Sequence, residues 1–477
     1  MERVLTDVEM RESDRHTIEK CGISAGQLMQ NAGKAIADEV EKAAIALNAE
    51  SILVVCGLGN NGGDGYVCAQ ELFRRNFNVK VYAFEGRLSP ECMLAKHSCI
   101  CGYSRDICGA IIVDCIFGTG LCRNVDGEFA EVINKINESG AYVISADIPS
   151  GINGGNGLKY GVAVKADLTV AIAEYKTGHF LNDGTDYCGK IIKKEIGIIC
   201  PQSDYALIYG DGDITKFFPP RKRNSHKGTY GSANLIAGSH KYLGAAALAV
   251  QSALKSGCGY VKLTSEQTVN AVLAPVYPSV IYSEEADLSC GAIAVGMGCG
   301  VSEKLYSLLK YLLCEFSGTL VIDADGLNCL AAFGTDILKE KRCNVLITPH
   351  VKEFSRLTGK SVDEIAADPI TAAKTFAKEN GVSVLLKSAV SVVTDGERAA
   401  LNIVGNTALA KAGSGDILSG FVCGTLARGL SAYEAAVASA YVLGSAAEIA
   451  AAEKTEYCAD ASDVINCLHF AIKRLTK

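Results

Sequence analysis

No stretch of this 477-residue chain reaches the roughly 18 uninterrupted apolar residues of a membrane span. The richest run, Ala435 to Ala452, is broken by Glu448 and several serines. The opening MERVLTDVEMRESDRHTIEK is charged throughout and lacks the apolar core of a signal peptide. A cytoplasmic protein without a membrane partner is expected. Positive charge is not in excess: 46 Lys and Arg against 53 Asp and Glu leave a net charge of −7, which disfavours a nucleic-acid surface. The one dense basic run, Arg221 to Lys227, follows Pro219-Pro220 and reads as a solvated linker. There is no CxxC pair among 20 cysteines, and the cluster Cys92, Cys99, Cys101 and Cys108 around His97 lacks zinc-finger spacing. Many cysteines, such as Cys56, Cys115 and Cys343, sit in apolar runs and read as reduced, buried thiols. The two halves of the chain share no repeat, so two distinct domains are expected.

The most informative stretch is KAGSGDILSG, Lys411 to Gly420. A turn over Ala412 to Gly415 feeds an acid, Asp416, and then an apolar face of a helix carried by Ile417, Leu418, Phe421, Val422 and Leu426. Such a turn directs free N–H groups and the positive end of the helix dipole at one point. A carboxylate there suits a base that deprotonates a hydroxyl for attack on phosphorus while the N–H groups hold the developing charge. A plain helix cap by Asp416 is the alternative.

Residues 11–46 read as helix, with an apolar stripe opposite charges. SILVVC (51–56) reads as a buried strand, GLGNNGGDG (57–65) as a phosphate-type glycine turn, and YVCAQELFRRN as the following helix. AIIVDC (110–115) ends in Asp114, and AYVISAD (141–147) ends in Asp147 before Ile148-Pro-Ser150. Three strand ends thus deliver Asn60, Asn61, Asp64, Asp114, Asp147 and Ser150 to one crevice of a parallel sheet. Composition shifts at Pro201, and the domain boundary is expected near 205–220. Beyond it the α/β alternation resumes, with strands ending in Asp323 and Asp325 (319–328), in Thr348-Pro-His350, and in Lys387, a point charge for phosphate.

Taken together, MRESDRHTIEK, LMQNAG, GNNGGDG, VDCIFGTGL and DIPSG in the first half, and HKGTYG, GMGCG, DADGLN, TPHVKEF and KAGSGDILSG in the second, resemble the bifunctional NAD(P)H-hydrate repair enzymes. The resemblance spans almost the whole chain. It implies an α/β protein: a Rossmann-like three-layer epimerase domain over 1–208, then a ribokinase-like dehydratase domain over 215–477 that uses ADP. By position, it implies that Asn60, Asn61, Gly62, Gly63 and Asp64, with Gly118, Thr119, Gly120, Leu121, Cys122, Arg123 and Asn124, hold the hydrate beside a catalytic Asp147. Asn61, Asp114 and Ser150 would bind potassium. In the second domain Ala245, Gly298, His350 and the catalytic Asp416 would meet the hydrate. Lys387, Ser388, Ala389, Val390 and Ser391, with Asn406, Thr407, Ala408, Leu409, Ala410, Lys411, Ala412, Gly413, Ser414 and Gly415, would hold the nucleotide, with Mg²⁺ as counter-ion. The implied substrates are hydrated NADH and NADPH and ADP, and a homo-oligomer is expected. Departures from the family pattern are Gln30 for Glu, Val351-Lys352 for Pro-Gly, and Leu409, Lys411 and Ala412 for Met, Thr and Gly. A small-molecule kinase joined to a nucleotide-binding module is the rival reading.

Overall fold

The computed structural model describes residues 1–201 and 204–476. It divides into two compact units, Arg3–Tyr205 and the chain from Ala206 onward, the latter grouped with Met1–Glu2. The first unit runs β1 (Glu2–Leu5), α1 (Asp7–Cys21), α2 (Ala25–Leu47), β2 (Ile52–Cys56), α3 (Asn60–Arg74), β3 (Val79–Ala83), α4 (Pro90–Ser98), β4 (Gly102–Tyr103), β5 (Ile111–Cys115), α5 (Gly127–Glu138), β6 (Tyr142–Ala146), β7 (Leu168–Ile172), β8 (Tyr175–Lys176), α6 (Gly184–Tyr187) and β9 (Lys190–Lys194).

Its main sheet has the order β4-β3-β2-β5-β6-β7-β9, with every pairing parallel. The chain winds outward from β2 in one direction through β3, and in the other from β5. The switch point therefore lies between β2 and β5, where a ligand crevice opens at the strands' carboxyl ends. β2 and β5 are buried on both faces, which is why they read as unbroken apolar runs rather than alternating ones. Ile36, Val54 and Tyr66 pack on one face of the sheet with α2 and α3, and Val55, Ile112, Val132 and Ile136 on the other with α5. That is a three-layer arrangement.

Two local expectations are corrected. The single helix over 11–46 is two helices: Gly22, at φ 75°, ends the first in the left-handed region, and Ser24 caps the second by accepting from Gln27 N at 3.2 Å. The GNNGGDG run is not a turn before a helix. The helix starts at Asn60, so most of the motif forms its first turns. Glycine is required there because an added Cβ at Gly62 would collide with the backbone of Gly57, and one at Gly57 with that of Ile116.

The second unit runs β10 (Ala206–Ile208), α7 (Asp211–Ile214), β11 (Ser232–Ile236), α8 (Leu243–Lys255), β12 (Tyr260–Thr264), α9 (Gln267–Leu273), β13 (Ile281–Ser283), β14 (Ala292–Val295), α10 (Glu303–Glu315), β15 (Thr319–Ile322), α11 (Asp325–Phe333), β16 (Asn344–Ile347), α12 (Val351–Thr358), α13 (Val362–Ala367), α14 (Pro369–Asn380), β17 (Ser383–Leu386), β18 (Ser391–Thr394), β19 (Ala399–Asn402), α15 (Ser414–Ala427), α16 (Ala432–Lys454) and α17 (Ala461–Leu475). Its strands lie in the order β13-β12-β11-β14-β15-β16-β17-β18-β19-β10. They are parallel through β17, and β17-β18-β19 form an antiparallel meander.

α15 is buried on every side from Ile417 to Ala427, not along the one face its spacing suggests. It lies against α8 so closely that a Cβ at Gly420 would strike the carbonyl of Ala249. Among the described residues one helix, α16, has the length and apolar content to cross a membrane, with a mean hydropathy of 1.5. Its apolar stretch is 78% buried within the fold, as befits a core helix.

Candidate functional site

A cavity of about 580 Å³ opens at the β2–β5 switch point. Its walls include Asn60, Asn61 and Asp64 from the start of α3, Gly118 to Arg123 from the loop after β5, and Asp147 after β6. Of the residues expected to hold the hydrate, Gly62, Gly63 and Asn124 do not line it. Gly62 and Gly63 instead allow close packing, since a Cβ at Gly63 would meet Met29.

Asp147 is the only one of these acids in the left-handed region, at φ 68°. That conformation costs a residue with a Cβ about 1–2 kcal/mol, less for Asp than for most. Its Oδ1 pairs with the ammonium of Lys176, which also donates to Ile172 O at 2.6 Å. Lys176 is 1% exposed. Sequence reasoning did not single out this lysine; it ends the two-residue strand β8, Tyr175–Lys176, a few residues beyond the apolar β7.

Asp14, on α1, was also missed. Met10, Asp14 and Ile18 recur at intervals of four and line the cavity together, so an acid interrupts an otherwise apolar helix face. Burial, reinforced by Asp147 and opposed by Lys176, pushes the Asp14 carboxyl up to about 6. Burial also raises the pKa of Asp64, reinforced by Asp147 and Asp14 and opposed by Lys176.

Asp114 lies beneath the loop, wholly buried. Its Oδ2 accepts from Ser145 Oγ at 2.8 Å and Ser150 N at 2.9 Å; its Oδ1 accepts from Ser150 Oγ at 2.6 Å and Ile116 N at 3.2 Å. Burial raises its pKa against those hydrogen bonds, and no cation pairs with it among the described residues. On the cavity wall the Asn61 amide is buried with neither its oxygen nor its nitrogen bonded. Phe117 closes the group, its N–H donating to Ser150 Oγ at 2.8 Å.

In the second unit the strand ends are stitched together. Gly300 N donates to Asp325 Oδ2 at 2.8 Å, and Asp323 N to Val295 O at 3.1 Å. Gly298, at φ 66°, lies against Tyr242 and Ala245, so the two small residues expected at the hydrate site do meet. Asp323 is buried, with Oδ1 accepting from Lys387 Nζ at 2.8 Å and Oδ2 from Ser419 Oγ at 2.7 Å.

Asp416 sits in the first turn of α15. The helix's N-cap is Gly413 at φ 96°, which supplies no side chain to the first N–H groups. Burial, with the negative charges of Asp323 and Asp325 and against that of Lys387, lifts the Asp416 carboxyl to about 6. Gly415 faces Lys387, whose Nζ would lie 3.3 Å from an added Cβ.

His350 takes up a structural task. Its Nδ1 accepts from Lys352 N at 3.1 Å and Glu353 N at 3.2 Å, capping α12. Burial, then Lys387, lowers its pKa. The half-exposed ring's Nε2 lies 3.4 Å from Glu353 Oε1.

Of the expected nucleotide contacts, Val390 and Ala408 have buried side chains and can offer only main chain. Ser388 Oγ donates to Val390 O at 2.7 Å, closing the turn that joins β17 to Ser391, the first residue of β18; Ala389 is exposed on that turn. Asn406, Thr407 and Lys411 line a second cavity of about 890 Å³ with Glu448 and Tyr457. Lys411 reaches the carbonyls of Tyr457, at 2.8 Å, and Ala459, tying the loop to the α16–α17 connection. Leu409 and Ala410 end the short turn after Asn406, and the Ala412 methyl is exposed. Among the described residues no group of three His, Cys, Asp or Glu is disposed to hold a metal.

Residues 25–178 match the family model described as YjeF-related protein N-terminus, and residues 233–469 that of NAD(P)H-hydrate dehydratase. The chain is 34% identical to the bifunctional NAD(P)H-hydrate repair enzyme of Thermofilum pendens, over 98% of this chain and 95% of that protein. Against the enzyme of the same name from Coxiella burnetii it is 32% identical, over 94% and 95%. Among solved structures, the ADP/ATP-dependent NAD(P)H-hydrate dehydratase from Bacillus subtilis, co-crystallised with ATP and Mg²⁺, covers 57% of this chain and 99% of its own, at 29% identity and a TM-score of 0.52. A two-unit chain with an acid-lined crevice in one unit and an acid at a glycine-capped helix in the other, matched end to end by these relatives, belongs to the family of bifunctional NAD(P)H-hydrate repair enzymes.

Proposed function

We propose that this protein restores hydrated NADH and NADPH, with residues 1–208 interconverting the R and S hydrates and residues 215–477 dehydrating the S form at the expense of ADP, giving AMP and phosphate. One observation carries the reading: each unit sets a candidate acid beside a glycine-shaped turn, Asp147 after β6 on the cavity wall in the first and Asp416 in the first turn of the glycine-capped α15 in the second.

In the hydrate, a hydroxyl sits on the ring carbon next to the nicotinamide nitrogen. Asp416, lifted to about 6, has the basicity to take that hydroxyl proton near neutral pH. The oxygen then attacks the terminal phosphorus of the nucleotide, held by Asn406 to Gly415 and Lys387 to Ser391. The first-turn N–H groups of α15 support the charge on the transferred group. The ring nitrogen's lone pair expels phosphate, and loss of a proton from the neighbouring carbon restores the dihydropyridine. Mg²⁺, carried chiefly by the nucleotide's own phosphates, would offset their charge.

Epimerisation needs the hydroxyl to leave with a proton and water to return on the other face. Asp64, whose carboxyl burial pushes toward the protonated form, and Asp147, paired with Lys176, are the two acids placed to give and take those protons. Potassium fits the neighbouring oxygens. The unbonded Asn61 amide oxygen and Ser150 Oγ would hold it over the unpaired, buried charge of Asp114. It would supply a fixed positive charge near the hydrate's polar groups.

The test is recovery of reduced-nicotinamide absorbance from mixed-epimer hydrate with ADP or ATP, alongside assay of inorganic phosphate. Full recovery with ADP and release of phosphate is expected. A stable phosphoester product would instead identify a kinase.

A further inference from the structure

Asp147 sits in the left-handed region with its carboxylate on the buried Lys176, an arrangement that needs something to hold it. One side chain touches both residues. The Nδ1 of His179 lies 3.1 Å from Lys176 N, and its Nε2 lies 2.7 Å from Asp147 O. A backbone N–H can only donate, so Nδ1 carries the lone pair. The proton is therefore on Nε2, donated to the Asp147 carbonyl.

The ring is 1% exposed and wedged edge-on between Tyr175 and Phe180, at interplanar angles of 87° and 89°. Burial, and then the charge of Lys176, lowers its pKa to about 4, so the neutral form with this single tautomer persists at neutral pH. The short turn that carries it, Thr177–His179, is itself anchored. Gly178 N donates to Gly154 O at 2.9 Å, Thr177 Oγ1 donates to Gly155 O, and a Cβ at Gly178 would strike the Asn153 carbonyl. Asp147 N, for its part, donates to Val170 O at 2.9 Å, so the residue is fixed from the β7 side as well.

We propose that His179 is a positioning residue for epimerisation: its neutral ring joins the main chain of Asp147 to that of Lys176 and so sets the carboxylate against the ammonium within the cavity. The proposal rests on the assignment of Asp147 to epimerisation. It names a fixed spacer rather than a proton carrier, because both ring nitrogens are committed to main-chain partners and neither is left for the hydrate.

The test is R-to-S interconversion by the full-length chain, followed by chiral chromatography, for H179L, H179Q, H179N and D147N. Misplacement of about 1 Å at a reacting group can cost on the order of 10²-fold. H179L, which removes both bonds, is expected to lower kcat by roughly 10- to 100-fold with KM changed by less than about 3-fold. Glutamine can place a donor near the Nε2 position and asparagine cannot, so H179Q is expected to retain more kcat than H179N. A wild-type kcat for H179L, a raised KM with kcat unchanged, or H179N outperforming H179Q would overturn the proposal. If H179L does not fold, the H179Q and H179N ranking decides the matter. A wild-type rate for D147N would instead sink the underlying assignment of the site, whatever the His179 variants do.

Discussion

Lys387 Nζ lies 2.8 Å from Oδ1 of Asp323, a carboxylate whose side chain is only 2% exposed. A lysine that reads from sequence as a phosphate contact is thus already paired, and serves as the counter-charge to a buried acid. Removing one partner of a buried pair typically costs about 3–5 kcal/mol, because the other charge is left stranded. K387A is therefore expected to lower the stability of the second unit by roughly that amount in urea unfolding, and to weaken nucleotide binding. The double variant K387M/D323N, which strands no charge, is expected to be the more stable of the two. Equal stability of K387A and wild type would contradict the pairing.

Asp416→Asn keeps the shape of α15's first turn but cannot take a proton. Dehydration is expected to fall by about 10²-fold or more, with nucleotide binding retained. In the wild type the dehydration rate is expected to fall about tenfold per unit as pH drops below about 6, because the base is then protonated. The stability consequence has the opposite sense from an ion-paired acid. A folded pKa raised from 3.8 to about 6 means that the folded state binds the proton more tightly, so stability declines as pH rises across that window. D416N is expected to be more stable than wild type at neutral pH by roughly 1–3 kcal/mol, and no more stable below about pH 4. Thermal melts at pH 4 and 7.5 check both signs.

Potassium dependence is expected to be confined to the first unit. Replacing K⁺ by a bulky organic cation should slow epimerisation several-fold while leaving dehydration of pure S-hydrate unchanged. D114N removes the buried charge that a cation would offset, so its melting temperature should no longer respond to K⁺. A K⁺ response in S-hydrate dehydration, or none in either reaction, would refute the placement at Asn61, Asp114 and Ser150.

Gly420 is where α15 touches the main chain of α8. G420A would push against the Ala249 carbonyl, which cannot rotate away. Overpacking of this kind costs about 1–3 kcal/mol. Because Asp416 rides on the same helix, dehydration should fall in G420A while epimerisation stays at the wild-type rate.

Much of the two sites was legible in the sequence because each sets acids next to glycine-rich turns, at strand ends in the first unit and at the start of a helix in the second. GNNGGDG, Asp114, Asp147 and KAGSGDILSG all announce themselves this way. The misses have physical causes. Helix α3 begins inside the glycine motif because Gly57 and Gly62 must pack main chain on main chain, and glycine content alone reads as a turn. Asp14 and Lys176 reach the cavity from elements distant in sequence, and His179 acts through main-chain atoms. Periodicity reports none of these. β17 is the expected strand ending in Lys387, but β18 and β19 follow it by tight turns with no intervening helix, so they fall outside the α/β alternation that the sequence displays elsewhere.

The most direct test of two independent sites is the fate of mixed-epimer hydrate with D416N and D147N, each alone and then mixed, followed by absorbance and chiral chromatography. The account predicts that D147N recovers only the S fraction quickly, that D416N interconverts epimers without recovery, and that the mixture recovers everything. A mixture no better than D147N alone, or a folded D416N that also fails to interconvert epimers, would contradict it.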